Sequence, residues 1–134
     1  MILGFDPGRD KCGLAVMGWE RQLLYHQVVT SQEAIATIQH LCQQFAIETI
    51  VMGNQTTAKT WKQNITQDLA LSVPIVLVDE RYSTLEARDR YWQMYPPKGI
   101  QRLIPQGMRQ PPGPIDDIVA ILLIERYLGV GSRE

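Results

Sequence analysis

Three acidic stations in this 134-residue chain carry residue types that could do chemistry. Asp6 ends a short apolar run and precedes Pro7-Gly8. Glu80 follows the apolar run 75–78 within Asp79-Glu80-Arg81, and Asp116-Asp117 opens the last apolar stretch. Carboxylates gathered from separate parts of a chain repel one another: two unit charges about 4 Å apart cost roughly 4 kcal/mol at an effective dielectric near 20. A fold keeps such a cluster when a cation sits between its members. Hard oxygen donors suit Mg²⁺, which retains waters that a phosphate can displace. Two such ions about 3.5 to 4 Å apart can activate a water and stabilise the leaving oxygen of a phosphodiester. Each acid also has a plainer explanation. Asp-Pro-Gly is ordinary turn chemistry, Glu80 could be a surface charge at a strand end, and acids in a first helical turn complement the macrodipole. Only their joint placement separates the readings.

The elements that must position these acids can be read from periodicity. Residues 1–6, 12–18 and 22–29 read as three strands, and the brief connections Pro7-Gly8 and Gly18-Trp19-Glu20 force antiparallel hairpins. Thr30-Ser31-Gln32-Glu33 forms a capping box, and Ile35, Ile38, Leu41 and Phe45 recur behind it at helical spacing. Strand and helix then alternate. The run 47–53 is a strand, about 57–72 a helix carrying Trp61, Ile65, Leu69 and Leu71, and Ile75-Val76-Leu77-Val78 a fully buried strand. Ser83-Thr84-Leu85-Glu86 is a second capping box, opening a helix to about Met94.

Residues 95–114 are dense in Pro and Gly, which predicts a long flexible loop. The final helix, roughly 115–128, is apolar on nearly every side and too short to cross a bilayer, so it packs on the sheet. The expected architecture is α/β: a mixed five-stranded sheet, an antiparallel meander of three strands plus two parallel ones, with helices on both faces. Its central first strand would bring the ends of strands 1–6 and 75–78 together, and their carboxylates with them.

Composition narrows the class. Apolar residues at 45% and charged ones at 20% describe a packed domain rather than a disordered or fibrous chain. At this length about two-thirds of the unfolded surface can be buried without staples, so one domain over 1–134 is expected. The formal charge of −1 predicts no general polyanion binding, so any such site must be local. Residues 88–109 have that local sign, with Arg88, Arg90, Lys98, Arg102 and Arg109 against Asp89 alone, and Tyr91, Trp92 and Tyr95 nearby could stack on bases or belong to the core. Two distant cysteines, Cys12 and Cys42, suit a reducing compartment. The opening run also lacks the basic lead and length of a signal peptide, so a cytoplasmic location is expected. His26 and His40 have no ligand-like spacing around them and read as structural.

Three blocks now resemble a family. Asp6-Pro7-Gly8-Arg9-Asp10-Lys11-Cys12-Gly13, Asp79-Glu80-Arg81-Tyr82-Ser83-Thr84 and Asp116-Asp117-Ile118-Val119-Ala120 look like the motifs of the YqgF (RuvX) family, in order and across nearly the whole chain. That family belongs to the RuvC-like branch of the ribonuclease H superfamily. The resemblance implies a ribonuclease H-like fold and a Mg²⁺- or Mn²⁺-dependent nuclease acting in pre-16S rRNA processing or Holliday junction resolution. Carried over by residue, the acidic triad falls on Asp6, Glu80 and Asp117, with Asp116 the neighbouring alternative as a metal ligand. Two departures concern substrate contacts. Gly53 continues as Asn54-Gln55-Thr56-Thr57 instead of Leu-Pro, and 110–115, often basic in relatives, is uncharged.

The nucleic-acid contacts expected are Arg9, Lys11, Arg81, Arg102 and Arg109, to structured RNA or branched DNA. A resolvase of two-fold symmetric junctions should be a homodimer, whereas an RNA-processing nuclease can be a monomer. The competing function is a noncatalytic nucleic-acid or ribosome-binding module with a nuclease-like fold, which predicts binding without cleavage. A sugar-kinase or actin-like ATPase would need two such domains, more than this length provides.

Overall fold

The structure, a computed structural model, describes residues 1–54, 57–69, 73–81 and 83–129, with the side chains of 68 and 69 left aside. Gln55, Thr56, Leu71 and Tyr82 of the sequence reading lie outside the described residues.

The expected meander forms. Strand β1 (Ile2–Asp6) pairs antiparallel with β2 (Lys11–Met17), which pairs antiparallel with β3 (Leu23–Thr30). The tight turn before β3 places Arg21 at φ 73, in the left-handed region. Thr30 then caps a 3₁₀ turn, its hydroxyl accepting from the Glu33 amide at 3.3 Å, and α1 (Ala34–Gln44) runs on from it. The crossover through α1 returns the chain as β4 (Thr49–Gly53), parallel to β1. A second crossover through α2 (Ala58–Leu69) adds β5 (Ile75–Val78), parallel to β4. The sheet order is β3-β2-β1-β4-β5, with β1 at the centre. Helix α3 (Ser83–Met94), the Pro/Gly-rich loop and α4 (Asp116–Leu128) complete the chain. The loop contains two 3₁₀ turns, Gly99–Leu103 and Gln106–Met108.

Helices cover both faces. On one, Ile38 and Leu41 of α1 and Ile65 of α2 pack on Leu3, Phe5, Leu14 and Met52, and Trp61 meets the Phe5 ring edge-on at 5.2 Å. On the other, α4 lies against Ile2, Ala15, Met17 and Val51, with α3 outside it. Residues 118–124 of α4 are all buried, the sheet and α3 both packing against the helix. Residues 118–124 of this helix thus bury their apolar surface within the chain itself. No described helix is long and apolar enough to cross a membrane.

One expectation needs correction. β5 is not fully buried: it is the edge strand, its residues are half-buried, and Leu77 is 42% exposed. A four-residue apolar run reads the same at an edge as at a centre, and only strand order tells them apart.

Two glycines set how closely α4 approaches. A Cβ on Gly4 would lie 2.5 Å from the Ala120 carbonyl, and one on Gly13 only 1.8 Å from the carbonyl of Asp116. Any side chain at Gly13 would push the start of α4 off the sheet.

Candidate active site

Asp6 is the last residue of the central strand and stands directly across the ladder from Gly13. Opposed residues of a pair share a face, and Gly13 touches the Asp116 backbone, so Asp6 looks toward the N-terminus of α4. The side chain is 9% exposed. Negative charge from both Asp6 and Asp116 acts on the buried Cys12 thiol on the next strand; together with the larger effect of burial, it pushes that thiol up.

The two aspartates of α4 have different environments. Asp117 has both oxygens engaged: Oδ2 lies 2.7 Å from Nδ1 of His26 on β3, and Oδ1 accepts from the Ile118 amide at 3.0 Å. An ionised carboxylate only accepts, so Nδ1 of His26 carries the proton in this contact. His26 faces Ala15 across the β2–β3 ladder, which puts it on the α4 side of the sheet. Asp116 instead has its carboxyl held above the ordinary value, chiefly by burial and further by the charge of Asp117. A hydrogen bond to its own backbone and the Lys11 ammonium pull the other way.

Glu80 lies two residues beyond β5, separated from β1 by β4. Two strand spacings amount to about 9.5 Å between those backbones. Its Oε2 is shut off from solvent. The backbone beside it is clamped by Arg126 of α4, which donates from Nη1 to the Asp79 carbonyl and from Nη2 to the Arg81 carbonyl, both at 2.7 Å. Arg126 also pairs with Glu86 at 3.0 Å, and the Ser83 amide donates to the Glu80 carbonyl at 3.0 Å. Ten positions, or about 15 Å of helix, separate Arg126 from Asp116. Helix α4 therefore holds the Glu80 segment from one end and approaches Asp6 with the other.

The acids share one end of the sheet, but the three do not close on a point. Among the described residues no group of three His, Cys, Asp or Glu side chains is placed to hold a metal ion. The Asp116 backbone lies against Gly13, the ladder partner of Asp6, Asp117 contacts His26, and Glu80 stands across β4. The chemistry of the set still suits a divalent cation. All donors are hard oxygens, Asp6 is largely buried, one oxygen of Glu80 is shut off from water, and burial disfavours the charge on Asp116, a cost that a bound cation offsets.

The basic residues divide. Lys11 is exposed at the start of β2 and acts electrostatically on Asp116. Arg9 is an exposed side chain, 3.7 Å from Asp10. Arg81 and Arg102 are exposed. Arg109 is half-buried: its Nε donates to the carbonyls of Gln101 and Ile104, both at 2.9 Å, and its guanidinium lies 5.8 Å from the centre of the Trp92 ring. It braces the loop. Sequence reasoning missed two residues, His26 and Arg126. His26 is a polar side chain on the covered face of a strand, a signal that becomes visible only once the register is known.

A family model described as "RuvX: Holliday junction resolvase" matches residues 1–129. A protein of Syntrophomonas wolfei named "Putative pre-16S rRNA nuclease" is 28% identical, over 98% of this chain and 95% of its own. In structure the chain is similar to Thermus thermophilus RuvC in complex with Holliday junction substrate, with TM-score 0.57 and 17% identity over 96% of each chain. A second RuvC structure from Thermus thermophilus gives TM-score 0.52 at 15% identity, over 98% of this chain and 96% of that one. These likenesses establish the RuvC-like, ribonuclease H-like fold.

Proposed function

Because the chain belongs to the RuvX family of Holliday junction resolvases, we propose that it is a Mg²⁺- or Mn²⁺-dependent endonuclease, cleaving structured RNA or branched DNA in the cytoplasm. Asp6, Glu80 and Asp116 would hold the ion. The observation that supports this reading is the close approach of the Asp116 backbone to Gly13, the residue paired across the ladder with the buried Asp6 at the end of the central strand. Asp116 is the ligand proposed in place of Asp117, the motif's own aspartate, whose oxygens contact His26 and accept from the Ile118 amide.

When bound, the cation supplies a nucleophilic water at neutral pH and stabilises the leaving oxygen. The protein's own residues do the rest. Asp6 is fixed by the ladder, His26 and the Ile118 amide keep Asp117 away from the ion, and Arg126 fixes the backbone on either side of Glu80. Lys11, already within electrostatic reach of Asp116, meets the phosphate being cleaved. The S. wolfei relative's name and the junction in the RuvC complex suggest the two substrates to try.

The test is a cleavage screen on four-way junctions and precursor-rRNA-like hairpins with Mg²⁺, with Mn²⁺ and with EDTA. Cleavage that needs the divalent ion and is lost in Asp6→Asn supports the enzyme. Tight binding without cleavage under every condition points to the noncatalytic module instead.

A further inference from the structure

We propose that the cleft between the C-terminal end of α3 and the loop after it is a binding site for one unstacked nucleobase of a single-stranded segment. The proposal rests on the nucleic-acid reading above and extends it to a second site. The cleft measures about 410 Å³, and Tyr91, Trp92, Tyr95, Lys98, Gln101 and Pro112 are among its walls.

Its aromatic rings form a built surface. Tyr91 meets Trp92 edge-on at 4.9 Å and lies 5.1 Å from Tyr95, which is 46% exposed and free to receive a stacked ring. The loop wall is braced by the Arg109 hydrogen bonds to Gln101 and Ile104, so the cleft exists before any ligand arrives.

Two cleft-wall residues also carry buried polar atoms that a shift of the wall would offer to a base edge. Trp92 is 92% buried, and its Nε1 has no hydrogen-bond partner among the described residues; nor has the buried Oε1 of Gln101. The first can only donate and the second only accept. Buried polar atoms left unsatisfied are uncommon enough to need an explanation. A nucleobase edge presents acceptors and donors in one plane, and its flat faces stack on tyrosine whatever the sequence.

Lys98 in the wall supplies the positive charge that the attached phosphate requires. Asp89, the one acid of the 88–109 segment, is not in the wall and accepts a hydrogen bond from Gln106 at 3.1 Å. The cleft is also near the carboxylates. Pro112 lies four residues before Asp116, so their Cα atoms are at most about 14 Å apart, within a few nucleotides of a strand.

The experiment is fluorescence anisotropy of a labelled single-stranded oligonucleotide in EDTA, which removes metal chemistry from the result. A normal strand and one carrying abasic positions are compared on the wild-type chain, Tyr95→Ala, Trp92→Phe and Lys98→Ala, with circular dichroism to verify folding. Tyr95 is half exposed, so its truncation leaves the core intact. Tyr95→Ala should weaken the normal strand about 5- to 150-fold with an unchanged salt dependence. Lys98→Ala should flatten the salt slope by about one. The abasic strand should bind the wild-type chain as weakly as the normal strand binds Tyr95→Ala, and should not sense that substitution. Trp92→Phe, which keeps a ring and removes the donor, should lose part of the affinity.

Equal binding of normal and abasic strands, or wild-type affinity in Tyr95→Ala, overturns the base site while leaving the nuclease reading standing. A wild-type chain that binds no strand even at low salt also overturns the base site, while the nuclease reading stands or falls on the cleavage screen.

Discussion

His26 Nδ1 and Asp117 Oδ2 lie 2.7 Å apart, joining residues 91 positions distant in sequence. In the proposed site this contact holds Asp117 apart from the ion that Asp116 would bind. A histidine that orients a carboxylate next to a ligand acts through position, and such partners typically contribute 10- to 100-fold to affinity or rate. Asp117→Asn and His26→Ala should therefore each lower cleavage by about that amount. Asp116→Asn, which removes a donor to the ion, should cost on the order of a thousandfold. Rates measured on the substrate found in the cleavage screen check this ranking. The reverse order would assign the ligand role to Asp117.

Asp116 should also cost stability at neutral pH. Burial raises its carboxyl above the ordinary value, so between the unfolded and folded values the native chain binds a proton that the unfolded chain has released. Stability therefore falls as pH rises through that window, and it stays reduced above it. Asp116→Asn should melt at a higher temperature than the wild-type chain at pH 7, and the advantage should shrink in acid below the ordinary carboxylate range. Thermal denaturation at the two pH values reads the difference.

Gly13→Ala tests the close approach of α4. The new Cβ would sit 1.8 Å from the Asp116 carbonyl, so the helix start must move. Overpacking of this kind costs about 1 to 3 kcal/mol. Urea denaturation should show a loss of that size or larger, accompanied by loss of cleavage, because Asp116 moves with the backbone that carries it.

Arg126→Ala should loosen the Glu80 segment. The side chain gives charge-assisted hydrogen bonds to two carbonyls, and each such bond contributes about 1.5 to 3 kcal/mol. Stability should fall by a few kcal/mol and kcat should drop about 10- to 100-fold. Lys at 126 keeps the charge but not the fork of donors, so it should recover only part of either loss. Full activity in Arg126→Ala would separate the clamp from Glu80's role.

Much of the fold was legible because it is local. The turns at Pro7-Gly8 and after Gly18 force hairpins, the Thr30 cap starts the first helix where it was read, and the alternation after residue 47 gives the two parallel strands. The apolar sweep of 118–124 marked the helix packed between layers. What sequence could not convey depends on register and strand order. The edge position of β5, the reach of Arg126 to the Asp79 and Arg81 carbonyls, and the pairing of His26 with Asp117 are contacts between distant segments, invisible until the sheet is assembled. The spacing Asp-Ile-Val-Ala favours Asp117, and the contact that distinguishes it from Asp116 in the proposed site, with His26, is not written in that spacing. The expected convergence of three acids was likewise reasoned from strand ends alone, without the β4 spacing that separates Glu80 from Asp6.

The most direct measurement is a crystal structure after a Mn²⁺ soak, using the anomalous signal to place the ion. The account predicts Mn²⁺ coordinated by Asp6, Glu80 and Asp116, with the His26–Asp117 contact intact. Mn²⁺ bound through Asp117 with His26 displaced, or no ion at these carboxylates at saturating Mn²⁺, would contradict it.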